Sequence, residues 1–419
     1  MNEQQQISRY VSYMYSYPHK TAYRTLTPPV SLSPYLERLE GREASLYFHI
    51  PFCAHKCGYC NLFSQQCCDA ERISLYLHTM RRQAEQLSVA AQGLKFTSFA
   101  VGGGTPLILD EGQLEELFCL AELFGVHPSR VFTSVETSPE YTQKSVLRQL
   151  RARGVERFNE TELKKLKRRP GLGTVVGALE NIVEAGFPQF NLDLIYGIEG
   201  QTVESFMRSL NTALTYRPNE LFIYPLYVRP GTRIDVRSTD DIGYAIYKSA
   251  RELLVGQGFV QTSMRRFVRR ETTETEFSCG DEVMLSCGAG GRSYLGNLHY
   301  ATPYAVRQQA IADEIDHYIR TTDFMTAANG FLLSTEEMQI RFIIKNLMYH
   351  RGVDLAEYEK RFGEKPDRNL FREFTDRGWI EETGRIVRLT EEGMAYSDYI
   401  GQAFISPVVR KLMSEYVYP

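Results

Sequence analysis

The chain has 419 residues, 43% of them hydrophobic, 12% aromatic and 24% charged, which excludes a disordered polymer and a small scaffold that depends on disulfide staples. Forty-eight basic against 51 acidic residues leave a formal charge of −3, so no global field draws nucleic acid or anionic lipid, and any anion site has to be local. A chain of this size hides roughly 75% of its unfolded surface, enough for one large α/β domain with an accessory domain.

The N-terminal Met1-Asn2-Glu3-Gln4-Gln5-Gln6 is polar and carries an acid where an export signal needs cations before an apolar run. No window approaches the roughly 18 apolar residues of a membrane helix; even Phe187–Ile198 is broken by Pro188, Asn191 and Asp193. Three of the eight cysteines crowd into eight residues and the others are scattered, the pattern of a metal site in a reducing compartment rather than a disulfide framework. The expectation is a cytoplasmic protein with no membrane insertion and no nucleic-acid partner.

In chain order, residues 1–44 read as an irregular arm, in which Tyr10, Tyr13, Tyr15, Tyr17 and Tyr23 interleave with Arg9, Lys20, Arg24 and several prolines. Over 45–260, short β-branched or aromatic runs alternate with helical periods, as in repeated βα units around a parallel sheet. The predicted strands are Leu46–Ile50, Thr97–Val101, Val131–Val135, Phe190–Ile195 and Leu221–Tyr224; the predicted helices are Ile73–Leu87, Gly112–Phe124, Thr142–Arg153, Thr174–Ala185 and Val203–Thr215. Residues 261–333 extend the barrel and connect it onward. Residues 334–419 read as helices Glu336–Tyr349, Leu355–Phe362 and Asn369–Arg377 with a hairpin around Gly384, a small winged-helix-like α+β domain. Its 13 basic and 15 acidic residues lack the footprint of a DNA reader, so a packing role is expected.

Chemistry concentrates where strands end, the edge at which parallel α/β folds place their sites. The strand Leu46-Tyr47-Phe48-His49-Ile50 runs into Cys53-x3-Cys57-x2-Cys60. Three thiolates on one tight loop can hold three irons of a [4Fe–4S] cube and leave the fourth open to a small chelator. Zinc, the alternative, needs a closed shell with a fourth ligand from Cys67, Cys68, His49 or His55. At the next strand end, Gly102-Gly103-Gly104-Thr105-Pro106 lets backbone groups approach a ligand without Cβ clashes. Glu136 and Asp193 close two further strands; acids there suit ribose hydroxyls, although each alone reads more readily as a cap or surface group.

Together, Cys53-x3-Cys57-x2-Cys60, Gly102–Pro106, Glu136 and Asn191–Gly197 resemble the radical S-adenosylmethionine (SAM) superfamily. Within it, Tyr47-Phe48-His49-Ile50-Pro51-Phe52-Cys53 and Asp193-Leu194-Ile195-Tyr196-Gly197 are similar to the branch of oxygen-independent coproporphyrinogen III oxidases and heme chaperones. The resemblance implies a partial (β/α)6 radical SAM barrel, a [4Fe–4S] cluster held by Cys53, Cys57 and Cys60, and SAM on the open iron. By matching positions, Tyr59 shields the cluster, Gly103, Gly104, Thr105 and Tyr47 lie beside the methionyl part of SAM, Arg168 pairs its carboxylate, and Glu136 and Asp193 accept from its polar groups. The implied chemistry is reductive cleavage of SAM, hydrogen abstraction by a 5′-deoxyadenosyl radical and oxidative decarboxylation of a tetrapyrrole propionate. A reducing electron-transfer protein such as flavodoxin or ferredoxin is the implied partner, and Arg9, Lys20 and Arg24 are candidate propionate partners.

Two departures from the family pattern stand out. The oxidases carry a further cysteine two residues after the third ligand, where this chain has Leu62, which favours a heme chaperone as the alternative; a radical SAM methyltransferase with two SAM molecules is a third reading. About seven expected residues, including a short strand, are absent between Arg157 and Phe158; the expectation is a gap in the sheet, a substitute from Gly154–Arg157, or an impaired variant. Cys67, Cys68, Cys279 and Cys287 read as buried or idle thiols, and His299 and Tyr300 as ordinary loop residues. The glycine-rich Cys287–Tyr294 segment is expected near the substrate.

Overall fold

The computed structural model describes residues 7–11, 13, 14, 16–161, 172–229, 232–234, 236–270 and 282–419. Six parallel strands form its centre: β1 (Glu43–Ile50), β2 (Lys95–Gly103), β3 (Phe132–Thr137), β4 (Arg157–Thr161), β5 (Gln189–Tyr196) and β6 (Glu220–Pro225). They are adjacent in chain order, and helices Ala70–Ala90, Glu111–Glu122, Lys144–Ala152, Leu172–Ala185 and Val203–Thr215 connect them, with Asp240–Gly256 after β6. The fold is α/β, an open sheet of repeated βα units.

Sequence explains the local geometry. In β1, Leu46, Phe48 and Ile50 are buried on one face, and Phe48 meets Phe99 of β2 edge to face at 5.1 Å. Period-two alternation turns Ser45, Tyr47 and His49 to the other face. Each such buried aliphatic or aromatic side chain contributes about 1.5–3 kcal/mol. Helix starts are capped by Asp69, by Asp110 in a capping box with Gln113, and by Thr202 with Ser205, so the chain turns from strand to helix at set points and its βα loops gather on one rim.

The expected gap in the sheet is absent. Arg157–Thr161 forms β4 and pairs on both sides, Val135 opposite Phe158 and Phe158 opposite Phe190. The short connection therefore preserves the ladder, since backbone donors and acceptors on β3 and β5 would otherwise be left unpaired. Beyond β6 the sheet continues antiparallel through Arg266–Arg269 and Phe259–Gln261. Beyond β1 it continues through Val283–Cys287, Arg292–Leu295, Leu298–Ala301 and Thr326–Leu332 to Arg24–Ser31. The arm is thus not irregular throughout: it contains that edge strand and helix Ser33–Arg38. His299 and Tyr300 are strand residues rather than loop residues, and His299 is fully buried with its ring 4.4 Å from that of Tyr294.

In the C-terminal region, helices Thr335–Leu347, Leu355–Phe362 and Asn369–Asp376 pack on a small sheet whose hairpin is Ile380–Thr383 with Ile386–Leu389, the expected winged-helix-like arrangement. The arm ties this region to the barrel. Tyr13 stacks on Tyr227 and lies edge-on to Tyr224, while the Met14 amide donates to Asp398 at 3.3 Å. Asp398 also accepts twice from the buried Arg265 guanidinium, at 2.6 and 2.7 Å. Removing one partner of a buried pair strands the other charge. Asp398→Ala is therefore expected to lower unfolding free energy by about 3–5 kcal/mol, read from chemical denaturation, whereas Arg265→Met combined with Asp398→Leu recovers most of it.

Candidate functional site

The rim at the carboxyl ends of β1, β2 and β3 brings together most of the residues singled out above. Phe52–Cys53 forms a two-residue parallel bridge with Gln65–Gln66, and Cys67 N donates to Cys53 O at 3.0 Å, closing residues 53–67 into a loop over the sheet edge. Gly104 N reaches Ile50 O at 2.7 Å and Thr105 N reaches Phe52 O at 2.8 Å, which fixes the loop base to the end of β2. A Cβ on Gly104 would stand 2.5 Å from Phe52 O and 3.0 Å from Cys53 Sγ, so only glycine fits. Gly103 has φ +117°, and a Cβ there would meet the His49 ring at 2.8 Å.

The three thiols differ in surroundings. Cys53 is buried against Thr105, whose hydroxyl lies 3.6 Å from Sγ. Cys57 and Cys60 are half-buried, and Cys60 N donates to Cys57 O at 3.2 Å. Cys57 and Tyr59 pack with Ile195, Leu226 and Ile234 in an apolar cluster, and Gly58 O accepts from Arg233 N at 2.7 Å. Burial, followed by the neighbouring Cys60, pushes the Cys53 thiol up to about 11, so the bare side chain stays protonated at neutral pH and a metal has to displace that proton. Among the described residues no three His, Cys, Asp or Glu side chains converge as a set for one ion. Three thiols on one loop are the donor set that a [4Fe–4S] cube takes at three of its corners.

Beside the loop, Glu136 Oε2 accepts from Gly103 N at 3.2 Å. A Cβ on Gly102 would lie 2.6 Å from the same oxygen and 2.9 Å from Tyr47 Oη, so Tyr47, Glu136 and the glycine run form one wall. Tyr47 Oη is 3.2 Å from His49 Nδ1, and His49 Nε2 is 2.9 Å from Phe63 O. The carbonyl can only accept, so Nε2 carries the proton and Nδ1 accepts from the phenol. Register places Glu136 opposite Asn159 and Asn159 opposite Asn191. Asn191 Nδ2 donates to Asp193 Oδ1 at 2.9 Å. Burial, then Asp193, holds the Tyr224 phenol well above its ordinary value, placing Asp193 and Tyr224 on the same inner face.

Several expected residues fall elsewhere. Arg168 and Cys279 lie outside the described residues. Arg24 donates to the carbonyls of Thr21, Tyr23 and Leu412, and the Arg9 guanidinium sits between the rings of Tyr244 and Tyr396 at 4.0 and 4.5 Å. These two cations pack the arm against helix Asp240–Gly256 and the C-terminal region; Lys20 lies 3.7 Å over the Tyr304 ring. The Cys287–Tyr294 segment wraps His49: a Cβ on Gly290 would meet His49 Nε2 at 2.8 Å, and on Gly288 would meet His49 O at 2.5 Å. Two contributors escaped sequence reasoning. Ser64 and Lys56 sit on the cysteine loop, Lys56 Nζ donating to Ser64 O at 3.1 Å and Val306 O at 3.0 Å; position on the loop was their only signal.

Residues 47–213 match the radical SAM superfamily, and residues 333–396 match the HemN C-terminal domain. The chain carries a radical SAM domain. Members of that superfamily use a [4Fe–4S] cluster and SAM. Heme chaperone HemW of Bacillus subtilis (strain 168) is 25% identical over 390 residues, covering 86% of this chain and 99% of that protein. The oxygen-independent coproporphyrinogen III oxidase of Escherichia coli (strain K12) is 25% identical over 386 residues, covering 84% and 82%. The solved structure of the coproporphyrinogen III oxidase HemN from Escherichia coli superposes with a TM-score of 0.79 over 94% of this chain and 96% of that one, at 21% identity, which establishes a shared fold. Among the described residues no helix is long and apolar enough to cross a membrane.

Burial lowers the His49 ring to about 4, below its unfolded value near 6.5. As pH falls from 6.5 to 4 the unfolded chain takes up this proton first, so folding stability drops across that window, by at most about 3 kcal/mol. Denaturation series over that range are expected to show a shallower acid slope for His49→Gln than for the parent chain.

Proposed function

We propose that this radical SAM protein holds its cluster through Cys53, Cys57 and Cys60 and its SAM through Gly103, Gly104, Glu136 and Asp193, with Tyr47, Tyr59 and Thr105 alongside and Arg168 pairing the SAM carboxylate. The observation that carries this reading is the contact of Gly104 with Cys53 on one side and of Gly102 and Gly103 with Glu136 on the other, which joins a thiol loop and a polar wall at one rim. When bound, cluster and SAM supply one-electron cleavage of a carbon–sulfur bond and hydrogen abstraction. The protein's part is to exclude water, fix the donors and set the loop. Tyr59 and its apolar neighbours exclude water from one flank, and Glu136, already accepting from Gly103 N, supplies a fixed acceptor.

The substrate class supported best is a tetrapyrrole or similar polycarboxylate, acted on by oxidative decarboxylation with a reducing electron-transfer protein as partner. Its support is the relatives' named activities. A second reading, a heme chaperone without oxidase activity, is favoured by half-exposed Leu62 in the place of the oxidases' extra cysteine and by the HemW match along nearly that protein's whole length.

Anaerobic reconstitution followed by reduction with SAM is expected to yield 5′-deoxyadenosine; tight heme binding without it would move the conclusion to the chaperone. Added coproporphyrinogen III then separates loss of carbon dioxide from methyl transfer. Cys57→Ala is expected to lose the brown iron–sulfur absorbance, and an unchanged spectrum overturns the ligand assignment.

A further inference from the structure

Two buried hydroxyls touch the sulfurs of the cysteine loop. Thr105 Oγ1 is 3.6 Å from Cys53 Sγ and Ser64 Oγ is 3.9 Å from Cys60 Sγ; the two residues are 5% and 1% exposed. Both are held by backbone bonds. Thr105 N donates to Phe52 O at 2.8 Å. The Ser64 carbonyl accepts from Lys56 Nζ at 3.1 Å and from Gln308 Nε2 at 3.0 Å, and Lys56 is itself anchored on Val306 O at 3.0 Å. The Ser64 backbone is therefore held in place by a charge-assisted bond.

A hydroxyl and a thiol can each donate or accept, so the bare contacts have no fixed direction. An iron-bound thiolate has lost its proton and can only accept. With the cysteines loaded, both hydroxyls become donors to ligand sulfur. Donors on ligand sulfurs stabilise the more negative, reduced state of an iron–sulfur centre and raise its potential. The effect is strengthened at Cys53, whose contact with Thr105 is buried away from water.

Resting on the ligand assignment proposed above, we propose that Thr105 and Ser64 set the reduction potential of the cluster, each by one hydroxyl-to-thiolate hydrogen bond, with Lys56 and Gln308 holding Ser64 in place. Neither residue needs to touch substrate for this role. The sequence alone separates them by 41 positions, and only the return of the glycine run over the loop base makes them a pair.

The test is a potentiometric titration of the anaerobically reconstituted full chain, without SAM, read by the electron paramagnetic resonance signal of the reduced cluster. Thr105→Val and Ser64→Ala are each expected to move the midpoint to a more negative potential, so that the reduced-to-oxidised ratio at a fixed solution potential falls about fivefold, the equivalent of one net hydrogen bond. Thr105→Ser and Ser64→Thr keep a donor and are expected to stay near the parent. Midpoints unmoved in both deletions, at parental iron content, overturn the proposal while leaving the ligand assignment standing. A cluster retained in Cys57→Ala overturns the assignment and this inference with it. Should Thr105→Val fail to load, Ser64→Ala decides alone.

Discussion

The close approach of Gly104 to the end of β1 is the constraint on which the site depends. Two backbone bonds, Gly104 N to Ile50 O and Thr105 N to Phe52 O, pull the loop after β2 across the base of the cysteine loop. They form only because nothing projects from Gly104 toward Phe52 O. A side chain there would push the two loops apart and disturb both the Cys53–Thr105 contact and the place of Glu136 beside Gly103. The glycine run is therefore a spacer before it is a ligand cradle. Its first effect is to bring three strand ends within hydrogen-bond distance of each other.

Electrostatics follows from that closeness. Burial raises the Cys53 thiol and lowers the His49 ring, so both groups are neutral in the bare protein at pH 7. A neutral thiol and a neutral imidazole cost little to desolvate, whereas a bare buried thiolate would need a partner. Under the ligand assignment proposed above, thiolate charge would appear only as the sulfurs take iron, with the hydroxyls of Thr105 and Ser64 beside them.

The alternation of apolar runs made β1, β2, β3, β5 and β6 and their helices legible, because each strand buries one face against helices and three of those helices start on a capping side chain. Strand β4 was not legible: Arg157–Thr161, Arg-Phe-Asn-Glu-Thr, has one apolar residue in five, and its strand state comes from neighbours on both sides rather than from its own pattern. The individual strands of the extension over residues 261–333 were not legible for a related reason. His299 looks like a loop residue in the phrase Gly-Asn-Leu-His-Tyr, yet it is buried between strands. The cysteines and the glycine run were readable since covalent spacing encodes them. Ser64 was not, because a hydroxyl acquires a role only from what folding sets beside it.

The arm bears on which ligand the inner face can take. Tyr13 covers Tyr227 and Tyr224, Arg341 Nη1 donates to Tyr17 O at 2.8 Å, and Arg292 Nη1 donates to Ser16 Oγ at 2.8 Å. The cleft left between arm, β6 and the C-terminal helix Thr335–Leu347 has a volume of about 120 Å³ and is lined by Tyr13, Tyr17, Phe222, Arg265 and Arg341, among others. Pockets for drug-sized ligands start at roughly 300 Å³, so this cleft is too small for one while the arm is in place. Three contacts resist that motion: the Tyr13 stack, the Met14 amide on Asp398, and the Tyr17 hydroxyl on Glu337, which Ser406 also bonds. All three join the arm to the C-terminal region or to residues that touch it. Any displacement of the arm therefore also breaks contacts at the seam between barrel and C-terminal region.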